Sequence, residues 1–172
     1  MRAKAKLSAV CTLIAMALMP SVAMGGHNDA PPTCLDENNH VLEYNNEVVV
    51  TWVKTTPNQY HSRAHINGTV VRLYGMQGDH HHLSVQIGNN VTEVIEVIYN
   101  QAFGKIVRQV EVGSTLQACG DYITSNKATG RYRASPDGAI LHWVHHSTNP
   151  NRHPDGYLMI DGNLYGDDEP AY

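Results

Sequence analysis

The stretch Ala139-Ile-Leu-His-Trp-Val-His-His146 runs on into Ser147-Thr-Asn-Pro-Asn-Arg-His-Pro-Asp-Gly-Tyr157. It concentrates four histidines, one of the two tryptophans and Asp155. Imidazoles beside a carboxylate are a donor set for Zn²⁺, Cu²⁺ or Ni²⁺; Ca²⁺ prefers oxygen alone. The candidate ligands are His142, His145, His146 and His153, with His82 from Asp79-His-His-His82. Asp155 and Trp143 are candidates for the layer behind them. Asp155 could orient an imidazole, or simply be the turn residue that Asp-Gly favours. The rival reading of the same histidines is a hydrogen-bonded network that carries no ligand.

Strand geometry constrains the set. On a straight strand His142 and His146 share a face but stand about 13 Å apart. Two nitrogens on one Zn²⁺ each lie about 2.0–2.1 Å from it, so this pair cannot share an ion directly. Either the strand turns near Val144, or ligands come from elsewhere. The expected grouping is His142 with His82 and His153. His145 or His146 joins only if the chain turns after Val144. His27, His40, His61 and His65 read as surface, and the His80-His81-His82 run as a loop with one inward member.

Other chemistries lack their motifs. No G-x-S-x-G elbow, H-E-x-x-H helix or glycine-rich phosphate loop is present.

The elements that must position these residues are short and rich in β-branched types. Glu47–Val53, Ile66–Tyr74, Leu83–Ile87, Val91–Tyr99, Leu116–Ile123, Ala139–His146, Tyr157–Ile160 and Asn163–Tyr165 read as strands. Leu83, Val85 and Ile87 alternate with His82, Ser84 and Gln86, which marks a half-buried strand. Gly120 suggests a bulge. Asp161-Gly162 is a two-residue hairpin turn. Ala102, Phe103, Ile106, Val107 and Val110 fall near a helical stripe, the one place for a short helix or crossover. The fold class is mainly β: a small antiparallel β-barrel, OB-like, with at most one short helix.

The chain has 172 residues, enough for one ordinary domain. Its start is basic through Lys6, apolar from Leu7 to Met19, then small-residue through Gly25. That is the layout of a secretory signal peptide over residues 1–25, and it implies a periplasmic or secreted protein with no membrane segment after cleavage. An N-terminal extension with one strand follows over 26–65, then a barrel domain over 66–166 and an acidic tail over 167–172. Cleavage would move the formal charge from −4 to −7, with 9 basic against 16 acidic residues left. Such a balance argues against general nucleic-acid binding. It also leaves two cysteines, Cys34 and Cys119, an even count that favours a disulfide in an oxidising compartment.

Several segments together resemble a known family. They are Thr69-Val-Val-Arg-Leu73, His82-Leu-Ser-Val-Gln-Ile-Gly88, Gly120-Asp-Tyr122, Gly138-Ala-Ile-Leu-His-Trp-Val-His-His146 and His153-Pro-Asp-Gly-Tyr-Leu158. They are similar to the small secreted bacterial proteins grouped as domain of unknown function 3465. The resemblance covers roughly residues 66–165 and rests mainly on the His-Trp-x-His-His run with its later His. Val144 stands where the family has Thr, Tyr157 where it has Trp, and Tyr99 where it has a histidine. The resemblance implies a location and singles out His82, His142, His145, His146 and His153; it implies no activity.

Three functions fit. The first is a secreted β-barrel binding protein with a histidine-centred site for a transition metal, Zn or Cu, or a small polar ligand. The second is a metal-dependent hydrolase of phosphodiesters. The third is a structural or interaction domain held by a histidine hydrogen-bond network.

Overall fold

A computed structural model describes residues 30–106, 110–150 and 152–166. The expected signal segment and acidic tail lie outside these residues, as does Val107 of the expected helical stripe.

The element order is α1 (Asn46–Thr55), β1 (His61–Gln77), β2 (His80–Gln86), β3 (Val94–Asn100), a 3₁₀ turn (Gln101–Phe103), β4 (Thr115–Thr124), β5 (Ala139–His142), β6 (Tyr157–Ile160) and β7 (Asn163–Tyr165). The strands form one seven-stranded sheet in the order β1-β2-β3-β5-β4-β6-β7, and β1 also pairs with β4. Five strands therefore close a ring: β1, β2, β3, β5, β4 and back to β1. The sheet is mixed rather than wholly antiparallel, because β3 and β5 run parallel, Glu96 opposite Ile140 and Val97 opposite Leu141.

Alternation along each strand sorts the ring into an inner and an outer face. Ala64, Ile66, Leu83, Val85, Ile95, Val97, Tyr99, Ala118, Tyr122, Ala139 and Leu141 form the inner core, all almost fully buried. Their neighbours point outward: His80, His82 and Ser84 on β2, Glu96 and Asn100 on β3, His142 on β5, Asp121 on β4, Arg63 on β1. The polar residues of interest thus share the outer face.

The expected strand over Glu47–Val53 is instead α1. Its β-branched run does favour a strand locally, but tertiary contacts decide. Val49 is fully buried, and Val50, Trp52 and Val53 pack on the core at helical spacing. Trp52 lies 5.2 Å from the Tyr122 ring and 5.8 Å from Tyr60. The Asn46 amide donates to the carbonyls of Asn67 and Ile87, which fixes the helix start to β1 and β2. The following strand begins at His61 rather than Ile66, because nine β1 residues from His61 to Thr69 pair with β4.

Gly120 is not a bulge: the β1–β4 register runs through it unbroken. It is a point of close approach instead. A Cβ there would lie 2.5 Å from the His142 carbonyl oxygen. Among the described residues of the expected helical stripe after Asn100, a 3₁₀ turn forms over Gln101–Phe103, capped by the Asn100 side chain accepting from the Ala102 N–H. The Asp161-Gly162 hairpin forms as expected, with φ of 48° and 77°, the left-handed pair that a tight hairpin needs.

Cys34 and Cys119 form a disulfide across 85 residues of chain. It pins the N-terminal arm to the outer side of β4, beside Tyr157 and Met159. Among the described residues no helix is long and apolar enough to cross a membrane.

Candidate functional site

The focal strand ends at its first histidine, His142. Trp143 has φ +51°, a left-handed conformation rare for a bulky residue. The chain therefore turns at Trp143, earlier than Val144. Val144 drops into the core, fully buried. The His146 N–H then donates to the Gly166 carbonyl and the Gly156 N–H to the His145 carbonyl. Gly156 makes this docking possible, since a Cβ there would sit 2.1 Å from the Trp143 carbonyl oxygen.

The turn defeats strand parity. His142, at the end of β5, and His145, beyond the turn, line the same cleft of about 210 Å³. His80, from the start of β2, and His153, from the β5–β6 loop, line it too. Asn100, Phe103, Trp143 and the Ser147–Asn149 segment complete the walls. The His80 and His142 ring centroids are 5.8 Å apart.

Two of these imidazoles are held from behind. His153 Nδ1 lies 2.6 Å from Asp121 Oδ2 and donates to it. Its ring stacks on Trp143 at 4.0 Å with planes 13° apart. His145 Nδ1 donates to the His146 carbonyl at 2.7 Å, and its ring stacks on Phe103 at 3.6 Å. Each bond fixes a tautomer that leaves Nε2 as an acceptor. No hydrogen bond among the described residues engages either Nε2.

Three of the cleft imidazoles, His142, His145 and His80, are held below the usual imidazole value. Burial, then the proximity of His80, His145 and His153, lowers His142 to about 4, against a smaller opposing pull from Asp121. Burial also lowers His145, partly offset by its bond to the His146 carbonyl. Burial and His82 lower His80.

The expected grouping is thus altered. His142 and His153 do share the cleft, but His82 does not line it. His82 Nδ1 bonds Glu96 Oε1 at 2.6 Å, and both residues are buried on the outer face. Its place is taken by His80, two residues earlier on the same strand face. His146 packs edge-on against Phe103 at 5.3 Å and is not among the cleft residues. Trp143 contacts an imidazole, stacking on His153. Asp155 does not: its carboxylate accepts the Ser147 N–H at 2.7 Å, so it holds the loop rather than a ring. Among the described residues no three of His, Cys, Asp and Glu stand close enough together to hold an ion as placed.

Besides His80, sequence reasoning missed Asp121 and Arg63. Asp121 was detectable: Ala118 and Tyr122 face the core, so Asp121 must face outward toward the focal strand. Arg63 lies just before the expected strand over Ile66–Tyr74, and no local pattern marks it.

No protein-family model, curated protein or solved structure matches this chain. The site is read from its own geometry.

Proposed function

We propose that this protein is a secreted or periplasmic OB-like barrel whose histidine cleft binds a transition-metal ion, Zn²⁺ or Cu²⁺. The convergence of His80, His142, His145 and His153 on one cleft carries this reading. Two of the four have Nδ1 engaged by a carboxylate or a carbonyl and Nε2 left over. Backing of that kind orients imidazole ligands and raises their basicity. A ligand must also be unprotonated, which the lowered His142, His145 and His80 satisfy at neutral pH. An all-imidazole set without thiolate suits zinc and copper. Two nitrogens on one tetrahedral Zn²⁺ lie about 3.3 Å apart. Binding therefore requires the rings to rotate inward, since among the described residues no three donors stand close enough to hold an ion as placed.

Support for the barrel type is the ring order, with β1 closing on β4 and β3 parallel to β5. Secretion is supported by the Cys34–Cys119 disulfide, which belongs to an oxidising compartment. The likeness to the domain of unknown function 3465 proteins is part of the same proposal. His65 supports a structural role for some histidines: its Nδ1 bonds the Leu42 carbonyl and its Nε2 the Tyr157 hydroxyl, so both nitrogens are engaged.

The test is elemental analysis of purified protein after exposure to zinc and copper, beside His142→Ala and His153→Ala. About one equivalent in the parent and a clear loss in both variants is expected. Less than about a tenth of an equivalent in the parent overturns the metal reading. Metal-dependent cleavage of a phosphodiester panel would move the assignment from binding to hydrolysis.

A further inference from the structure

We infer that Arg63 is the positioning residue of the histidine cleft, fixing His153 from two sides at once. The inference deepens the proposed metal reading, but its test does not need metal. Arg63 is only 2% exposed. Its Nη1 donates to Asp121 Oδ1 at 2.7 Å, and the other carboxylate oxygen, Oδ2, holds His153 Nδ1. Its Nη2 donates to the Asp155 carbonyl at 2.6 Å, two residues beyond His153 in the same loop. One guanidinium thus holds both the carboxylate that grips the ring and the backbone that carries it.

The planar fork of arginine makes this possible, because its donors point in fixed, divergent directions. An ammonium could satisfy Asp121 or the Asp155 carbonyl but has no rigid span to reach both. The third direction is occupied too: Nε donates to the Leu35 carbonyl at 3.2 Å, next to disulfide-bonded Cys34. The N-terminal arm therefore covers Arg63.

Arg63 is not needed to hold its own strand. The β1–β4 ladder runs unbroken from His61 to Thr69 through backbone pairing. Truncating the side chain leaves that ladder intact and frees Asp121 to rotate. His153 then loses its single tautomer, and the Asp155 segment loses its anchor.

The experiment reads the ring nitrogens of His153 by NMR in metal-free protein, at one fixed pH above neutrality. Parent, Arg63→Gln and Arg63→Lys are compared. The parent shows a slowly exchanging Nδ1–H and the shifts of one tautomer. Arg63→Gln loses that proton signal and moves to averaged shifts. Arg63→Lys, which keeps a charge for Asp121, retains the tautomer but exchanges faster because Asp155 is released. Unchanged His153 signals in folded Arg63→Gln overturn the inference. Should that variant not fold, parent-like exchange in Arg63→Lys overturns it instead. Zinc titration is scored separately: Arg63→Gln is expected to bind about 10- to 100-fold more weakly, the usual effect of losing support behind a ligand. A parent protein that binds no metal but shows the His153 changes sinks the metal function and leaves the role of Arg63 standing.

Discussion

The burial of His142 makes the metal-free protein sensitive to acid in a defined window. The unfolded chain takes up this proton near pH 6.5 and the folded one only near pH 4. Between those values the unfolded state binds more protons, so stability falls as pH falls. The full difference of about 2.5 units is worth about 3 kcal/mol, at 1.36 kcal/mol per unit. The contribution is intact above pH 6.5, and about 2 kcal/mol of it is gone by pH 5. Urea unfolding from pH 7 to pH 5 measures it, with chelator present. At a urea slope of about 2 kcal/mol/M, the midpoint drops by about 1 M from this residue alone. His65, His80, His81 and His145 are also lowered by burial and add losses of the same sign. The comparison with His142→Gln, which cannot titrate, isolates the one group. Its curve should fall less steeply, with the two converging by about 1 M of urea at pH 5. Parallel curves, or a His142 ring that titrates near pH 6.5 in the folded protein, would refute the burial argument.

Other outcomes follow from single contacts. Replacing both Cys34 and Cys119 with serine should cost about 4–5 kcal/mol on the loop-entropy model for an 85-residue separation; urea melts with and without reductant check it, and reductant should shift only the parent. Asp121→Ala strands a buried guanidinium and should destabilise by about 3–5 kcal/mol, while adding Arg63→Met to it should recover part of that loss in thermal melts. Gly156→Ala puts a Cβ against the Trp143 carbonyl and should cost about 1–3 kcal/mol or more, with the amide shifts of Trp143 and His145 moving most; a neutral melt with unmoved shifts would refute the close approach.

What could be read from the chain alone was whatever depends on near neighbours. The Asp161-Gly162 turn is legible because its two positive φ values demand those residue types. The Leu83–Ile87 alternation is legible because one face is core and the other is not. The helix over Asn46–Thr55 was not legible, since Val48-Val-Val50 favours a strand until Tyr60 and Tyr122 supply a surface for Trp52. His80 could not be told from His82, because residues two apart share a face. The difference comes from which cross-strand partner each meets: His82 finds Glu96, while His80 sits opposite Asn100 at the strand end nearest the cleft. Arg63 was beyond local pattern altogether, because every one of its side-chain partners is distant in sequence.

A count of histidines therefore says little, whereas the partners of each ring nitrogen say a good deal. His65 has both nitrogens tied to the frame and can serve only the fold. His82 is buried with a carboxylate away from the cleft. His145 and His153 are tied by Nδ1 alone and line the cleft, which leaves Nε2 for another partner. What brings them to one place is a backbone irregularity rather than a motif. A left-handed residue costs on the order of 1–3 kcal/mol and persists only where surrounding contacts outweigh it. At Trp143 those contacts are the burial of Val144, the stack on His153 and the glycine approaches at positions 120 and 156. A straight β5 would relieve the strain, but it would lift Val144 out of the core and carry His145 to the opposite face from His142. The cleft thus depends on the same turn that strand parity alone would forbid.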